Sequence, residues 1–156
     1  MNAYLIVKWL HIMSSVLLVG TGFGTAFYLF YANRSGNVQA IAVISRLVVR
    51  ADTWFTTPAA VFQPLSGWWL MKQAGWSFGT GWIAASIGLF LLTGVCWLPV
   101  LWLQLRLRDM AAIAAGHDHQ LPEGYWRYAR WWEWLGYPAF MAMVATFYLM
   151  VVKPPF

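Results

Sequence analysis

Long stretches without a formal charge dominate this chain. Twenty-five such residues lie between Lys8 and Arg34, 19 between Asp52 and Lys72, 33 between Lys72 and Arg106, and 19 between Glu133 and Lys153. A helix needs about 20 mostly apolar residues to cross a hydrocarbon core about 30 Å thick, at about 1.5 Å per residue. Four runs of that length predict an all-α polytopic membrane protein, a four-transmembrane-helix up-and-down bundle. It is read as one integral membrane domain over residues 1–156, with spans at about 4–31, 52–72, 81–105 and 131–152. The 33-residue run has room for a turn, Gly75-Trp76-Ser77-Phe78-Gly79, before its helix starts.

Composition points the same way. The hydrophobic share is 61% and the charged share 10%, against about a quarter charged in a soluble domain. Ten basic and five acidic residues cannot solvate the surface of a water-soluble globule of this size. This argues against a soluble enzyme, and intrinsic disorder is excluded by the high hydrophobicity. The net charge of +5 is not gathered into a groove with stacking aromatics, so no nucleic-acid partner is expected.

Asn33-Arg34-Ser35-Gly36-Asn37 is turn chemistry and closes the first helix near Tyr31. The second helix starts near Val38, with Val38, Ile41, Ile44 or Ser45, and Val48 at helical spacing, and meets the membrane near Asp52. Pro58 and Pro64 predict a bend in it. The third continues through Ala115 with Gly116 as its C-cap. The fourth starts near Tyr125 or Arg130 and is stopped by Pro154-Pro155.

Lys8, Lys72 and Lys153 fall on one side of this layout. Arg34, Arg46, Arg50, Arg106, Arg108, Arg127 and Arg130 fall on the other. Three against seven puts the arginine-bearing connections in the cytoplasm of a bacterial inner membrane and both termini on the outer, periplasmic side. The first run is too long for a cleaved signal and reads as a signal-anchor. Tryptophans mark both boundaries: Trp9, Trp68, Trp69, Trp76 and Trp82 on one, Trp54, Trp102, Trp126, Trp131, Trp132 and Trp134 on the other, with Trp97 deeper.

Only His11, among three histidines, falls within a predicted span. Ionisable groups at such depth are costly and often functional. A neutral imidazole there can ligate haem iron or a metal, or relay a proton. It can also be an interfacial histidine bonded to a neighbour. Groups at matching depth are Gln63, Ser66, Ser86, Met141, Met143 and Thr146. With no second intramembrane histidine, His–Met ligation, five-coordinate haem or a site shared between chains remain open. The absence of C-x-x-C-H excludes covalent c-type attachment.

Gly20 and Gly24 form a G-x-x-x-G pair and predict close helix approach, or a face for a flat prosthetic group. Asp52, Thr56, Gln63 and Ser66 share one face of the second helix. Arg50, Asp52, Gln104, Arg106, Arg108, Arg130 and Glu133 are candidates for a cytoplasmic polar cluster, either binding an anionic headgroup or propionates, or simply ion pairing at the membrane edge. His117-Asp118-His119 is at most a partial metal site and reads as a solvated loop. Cys96 reads as a small buried hydrophobe.

Val7-Lys8-Trp9-Leu10-His11-Ile12, Ala51-Asp52-Thr53-Trp54-Phe55-Thr56-Thr57-Pro58 and Trp97-Leu98-Pro99-Val100 with Gln104-Leu105-Arg106 resemble a bacterial family of small four-helix integral membrane proteins of unknown function. More distantly, the early histidine is similar to one in the HemJ-type protoporphyrinogen oxidases and CopD-like membrane proteins. HemJ-type proteins bind haem b, and that resemblance implies His11 as an axial iron ligand.

The expectation is a b-type haem-binding inner-membrane redox protein that hands electrons to or from quinone or oxidises a membrane-soluble substrate. His11 would hold the iron, Lys8 or Lys72 the propionates, and Gln63, Ser66 and Met143 would lie in the pocket wall. Alternatives are a non-catalytic membrane subunit or assembly partner, including a homo-oligomer, and a small transporter built around Gln63.

Overall fold

Asn2 starts the first helix by accepting the Tyr4 amide at 3.1 Å, and α1 runs from Ala3 to Ser35. Gly36 ends it in the left-handed region, φ 67°, where a side chain would be strained. Asn37 then accepts the Ala40 amide at 3.0 Å and opens α2, Val38–Ala51. The expected turn is therefore two residues long. Asn33 and Arg34 belong to the helix, one turn beyond the expected end at Tyr31.

After α2 the backbone stays helical but widens into a π-helical turn, Asp52–Thr56, where the Thr57 amide reaches back five residues to the Asp52 carbonyl. Pro58 is the physical reason. It has no N–H to offer Trp54 four residues earlier, and its ring crowds that turn. One extra residue in the turn relieves both. The bend predicted from Pro58 and Pro64 thus takes the form of this turn, after which α3 spans Thr57–Gln73 with Pro64 inside it. Gly75, φ 72°, begins the connection to α4, Gly81–Gly116. Gly116 is the last helical residue rather than a left-handed cap. The final helix, α5, spans Glu123–Val152 and ends at Lys153, φ 48°, just before Pro154.

The computed structural model describes residues 2–117 and 120–155, and all regular structure among them is helical. Three helices, α1, α4 and α5, with 33, 36 and 30 residues, are long and apolar enough to cross a membrane. The path expected to span over 52–72 is split between the π-turn and the 17 residues of α3.

Two hairpins result. The first pairs α1 with α2, the π-turn and α3; the second pairs α4 with α5. They join mainly where α2 packs on α4, at the end that holds Gly36. There lies the main core, with Leu29, Ile41, Leu107, Ala111, Tyr125 and Trp132 all buried. Toward the Gly75 end the hairpins part. Among the described residues the backbone of α3 nowhere approaches α4 or α5, and its Met71 packs with Trp82 and Ile83 beside the turn.

The outer surfaces are apolar: Trp54 is 74% exposed, Val95 70% and Val151 80%. A water-soluble chain does not leave such faces bare on all of its long helices, whereas lipid tails solvate them. The chain is an integral membrane protein. Trp82 and Trp132, expected in the boundary belts, are buried in the two clusters instead, because each faces a neighbouring helix.

Tyr125 ties the Gly36 end together by donating its hydroxyl to Asn33 Oδ1 at 2.7 Å. Tyr125→Phe is expected to cost about 1 kcal/mol, and Leu107→Ala, at a fully buried position, about 2–5 kcal/mol. Thermal unfolding in detergent should rank them in that order.

Candidate functional site

Two polar centres lie inside the helices, one in the first hairpin and one where the hairpins meet. The first surrounds His11. Its Nδ1 is 2.7 Å from Ser66 Oγ. Ser66 Oγ lies 2.7 Å from the Phe62 carbonyl and 3.2 Å from that of Gln63, and has a single proton to give. With that proton on a carbonyl, the hydroxyl oxygen accepts from His11 Nδ1–H and the lone pair is on Nε2; with the proton on Nδ1, the tautomer reverses. Among the described residues Nε2 has no hydrogen-bond partner. The ring lies against α3 at Gly67, where an added Cβ would stand 3.3 Å from His11 Cε1.

Gln63 completes this centre. Its amide nitrogen donates to the His11 carbonyl at 2.9 Å, to Ser14 Oγ at 2.6 Å and to Ser15 Oγ at 2.8 Å. Both serine hydroxyls also donate to the His11 carbonyl, at 3.1 and 2.9 Å. In hydrocarbon these groups have no water to turn to, so they bond one another across α1 and α3.

The second centre is built on the π-turn. Asp52 and Thr56 are each 3% exposed, and the Thr56 hydroxyl donates to Asp52 Oδ1 at 2.7 Å. The Gln104 side chain also reaches the Asp52 carboxyl. These residues, with Trp132 and Glu133, close one end of a cavity of about 630 Å³ between the hairpins. The remaining walls are apolar and aromatic. Phe23 of α1 and Phe140 of α5 stack across it, with centroids 5.3 Å apart. Val61 and Leu98 line it and are 59% and 64% exposed, so it opens sideways toward lipid. Gln104 Oε1 and Trp132 Nε1 are buried there without a hydrogen-bond partner among the described residues. Each such orphan costs about 1–3 kcal/mol.

A family of integral membrane proteins, described as "Predicted integral membrane protein (DUF2269)", has a model that matches residues 5–154. The chain belongs to this family. No curated protein and no solved structure matches it.

Within this DUF2269 fold the residues singled out from sequence are sorted by position. His11, Gln63 and Ser66 come together. Met143 lines the cavity, which His11 does not. Lys8 is exposed, with Nζ 6.0 Å from the Tyr4 ring centre, and Lys72 sits 4.8 Å over Trp68. Ser86 and Thr146 hydroxyls bond carbonyls of their own helices, and Met141 is exposed.

Of the polar cluster, Asp52 and Gln104 converge and Glu133 lines the same end. Arg50, Arg106 and Arg130 are exposed, and Arg106 lies 5.3 Å over Trp102. Arg108 pairs with Asp109 at 2.7 Å, and Arg130 borders a shallow groove with Arg127, Trp131 and Trp134. Glu133 is paired with Arg34 at 3.1 Å, a partner not foreseen because it requires α1 to lie beside α5. Gly20, Gly22 and Gly24 make no close helix approach, since a Cβ on any of them would meet nothing within 4 Å. The close approach is at Gly67. Cys96 is buried and free, as expected. Of the loop histidines, His117 is exposed, while Asp118 and His119 lie outside the described residues.

Gln63→Leu removes the amide that serves three oxygens. It is expected to cost about 1–2 kcal/mol, read as a lower unfolding temperature in detergent. An unchanged temperature would show that the cluster does not hold α1 to α3.

Proposed function

We propose that this chain is a four-span protein of the bacterial inner membrane, with both termini on the outer face, that carries haem b on His11 and serves as a redox protein exchanging electrons with quinone or another lipid-soluble partner. The fourth span is the rod of the π-turn and α3, continuous with α2. The observation that carries the reading is the 2.7 Å contact of His11 Nδ1 with Ser66 Oγ, beside an Nε2 that has no hydrogen-bond partner among the described residues. A ligating histidine is oriented by the bond its other nitrogen makes.

The donor set fits a group that brings most of its own ligands. Among the described residues no three of His, Cys, Asp and Glu gather to hold a bare metal ion, whereas a porphyrin brings four nitrogens and asks the protein for one or two more. Such a group, when bound, supplies one-electron chemistry. Ser66 orients the imidazole, Gln63 fixes the His11 backbone, and Gly67 lets the ring lie close to α3. Lys8 and Lys72 supply cations for propionates. The similarity of the early histidine to that of HemJ-type and CopD-like proteins supports this reading.

A second reading rests on the same cluster. His11, Ser14, Ser15, Gln63 and Ser66 bond one another, which is how polar side chains hold membrane helices together. On that reading the protein is a non-catalytic membrane subunit without a cofactor.

The visible spectrum of protein purified in mild detergent separates the two. The haem reading expects a Soret band that disappears in His11→Ala at unchanged expression. It also expects Ser66→Ala to keep the band but retain haem about 10–100-fold less tightly. A colourless, folded preparation from haem-replete cells overturns it and leaves the subunit reading. Orientation is tested by labelling single cysteines in whole cells. Gln73→Cys should be reached from outside and Ser35→Cys should not; the reverse overturns the topology.

A further inference from the structure

The cavity between the hairpins has no part in His11 ligation, yet its walls and its polar end are specific. Three helices each present a glycine to it: Gly22 on α1, Gly94 on α4 and Gly136 on α5. A Cβ on any of the three would meet nothing within 4 Å. The space is therefore kept open by sequence, in three places at once. At about 630 Å³ it falls in the usual range for small-molecule sites, about 300–1,000 Å³.

The polar end fixes the chemistry of an occupant. Gln104 and Trp132 are each 5% exposed and line the cavity. Among the described residues Gln104 Oε1 is an acceptor without a donor and Trp132 Nε1 a donor without an acceptor, on two residues that line this end. A hydroxyl satisfies either, and a ring oxygen that is a carbonyl in one state and a hydroxyl in another suits the pair. The same end holds two carboxyl groups. Asp52 is bonded by Thr56 and faced by Gln104, and Glu133 is engaged by Arg34. Among the described residues no Lys or Arg lines the cavity, so an anionic headgroup is disfavoured. Phe23, Phe90, Trp97 and Phe140 give flat aromatic walls, suited to stacking on a planar ring. The exposed lining residues Val61 and Leu98 open the way in from the bilayer.

We infer that this cavity binds a neutral, lipid-soluble ring of the quinone–quinol class, with its oxygens at Gln104 and Trp132 and its apolar body between α1, α4 and α5. The site gives the proposed redox reading its membrane-soluble partner, but its geometry does not depend on haem.

The test uses the full chain in nanodiscs with decylubiquinone as probe, read by quenching of tryptophan fluorescence. Saturable quenching is expected. Gly22→Leu and Gly94→Leu, each alone, should abolish the saturable part at unchanged unfolding temperature. Their new side chains fill space rather than displace neighbours, and they lie on different helices, so one folded variant suffices. Gln104→Leu and Trp132→Phe should each weaken binding about tenfold. Oleate should not displace the probe. His11→Ala should keep the probe site, and an unaltered protein that shows no Soret band yet binds the probe sinks the haem reading and leaves this one standing. Quenching that never saturates, equal affinity in the glycine variants, or displacement by oleate overturns the assignment, the last by showing a slot for acyl chains.

Discussion

Inside a bilayer a polar atom has no water to fall back on, and this constraint shapes the interior of the protein. Serine and threonine hydroxyls within the helices turn back to carbonyls of their own turns, as at Ser45, Ser86 and Thr93. Polar groups that cannot close locally are gathered between helices. Gln63 is the plainest case: its amide is spread over three oxygens of α1 because nothing else at that depth can receive it. Tyr125 and Asn33 do the same at the other end, where α5 meets α1. Helix association follows from this need as much as from apolar packing, since lipid is as good a neighbour for leucine as another leucine.

The groups that break the pattern are therefore informative. Asn33 Nδ2, Gln104 Oε1 and Trp132 Nε1 are buried without a partner among the described residues, and Gln104 and Trp132 are residues that line the cavity between the hairpins. His11 Nε2 is without one in the first hairpin. The molecule thus keeps two polar centres apart, one in the first hairpin and one where the hairpins meet. One hairpin fixes an imidazole through its own second helix. The joint between hairpins keeps a flat apolar chamber with a polar end.

Features that depend on neighbours in the chain were legible from the residues. Charge-free runs marked the helices, Asn37 and Val38 the second start, and Pro154-Pro155 the last stop. Depth matching brought Gln63 and Ser66 to His11, because two helices joined by a two-residue turn must run side by side. Features that depend on which helices touch were not legible. The G-x-x-x-G pair names a face that is smooth, yet only the absence of a partner shows that the face borders space. Trp82 and Trp132 share composition and depth with the boundary tryptophans and differ only in pointing inward. The Arg34–Glu133 pair joins residues 99 positions apart.

Asp52–Thr56 carries one residue more than an α-helical turn would, and each residue turns a helix by about 100°. Among the described residues the rod built from α2 and α3 leans on α1 and α4 before this point, and after it on α1, with Met71 alone packing against α4 beside the turn. Its lean is thus a matter of phase, set by how many residues were counted rather than by which ones. No single side-chain replacement restores the missing fraction of a revolution. A deletion would, turning every later face of the rod by about 100° about its own axis.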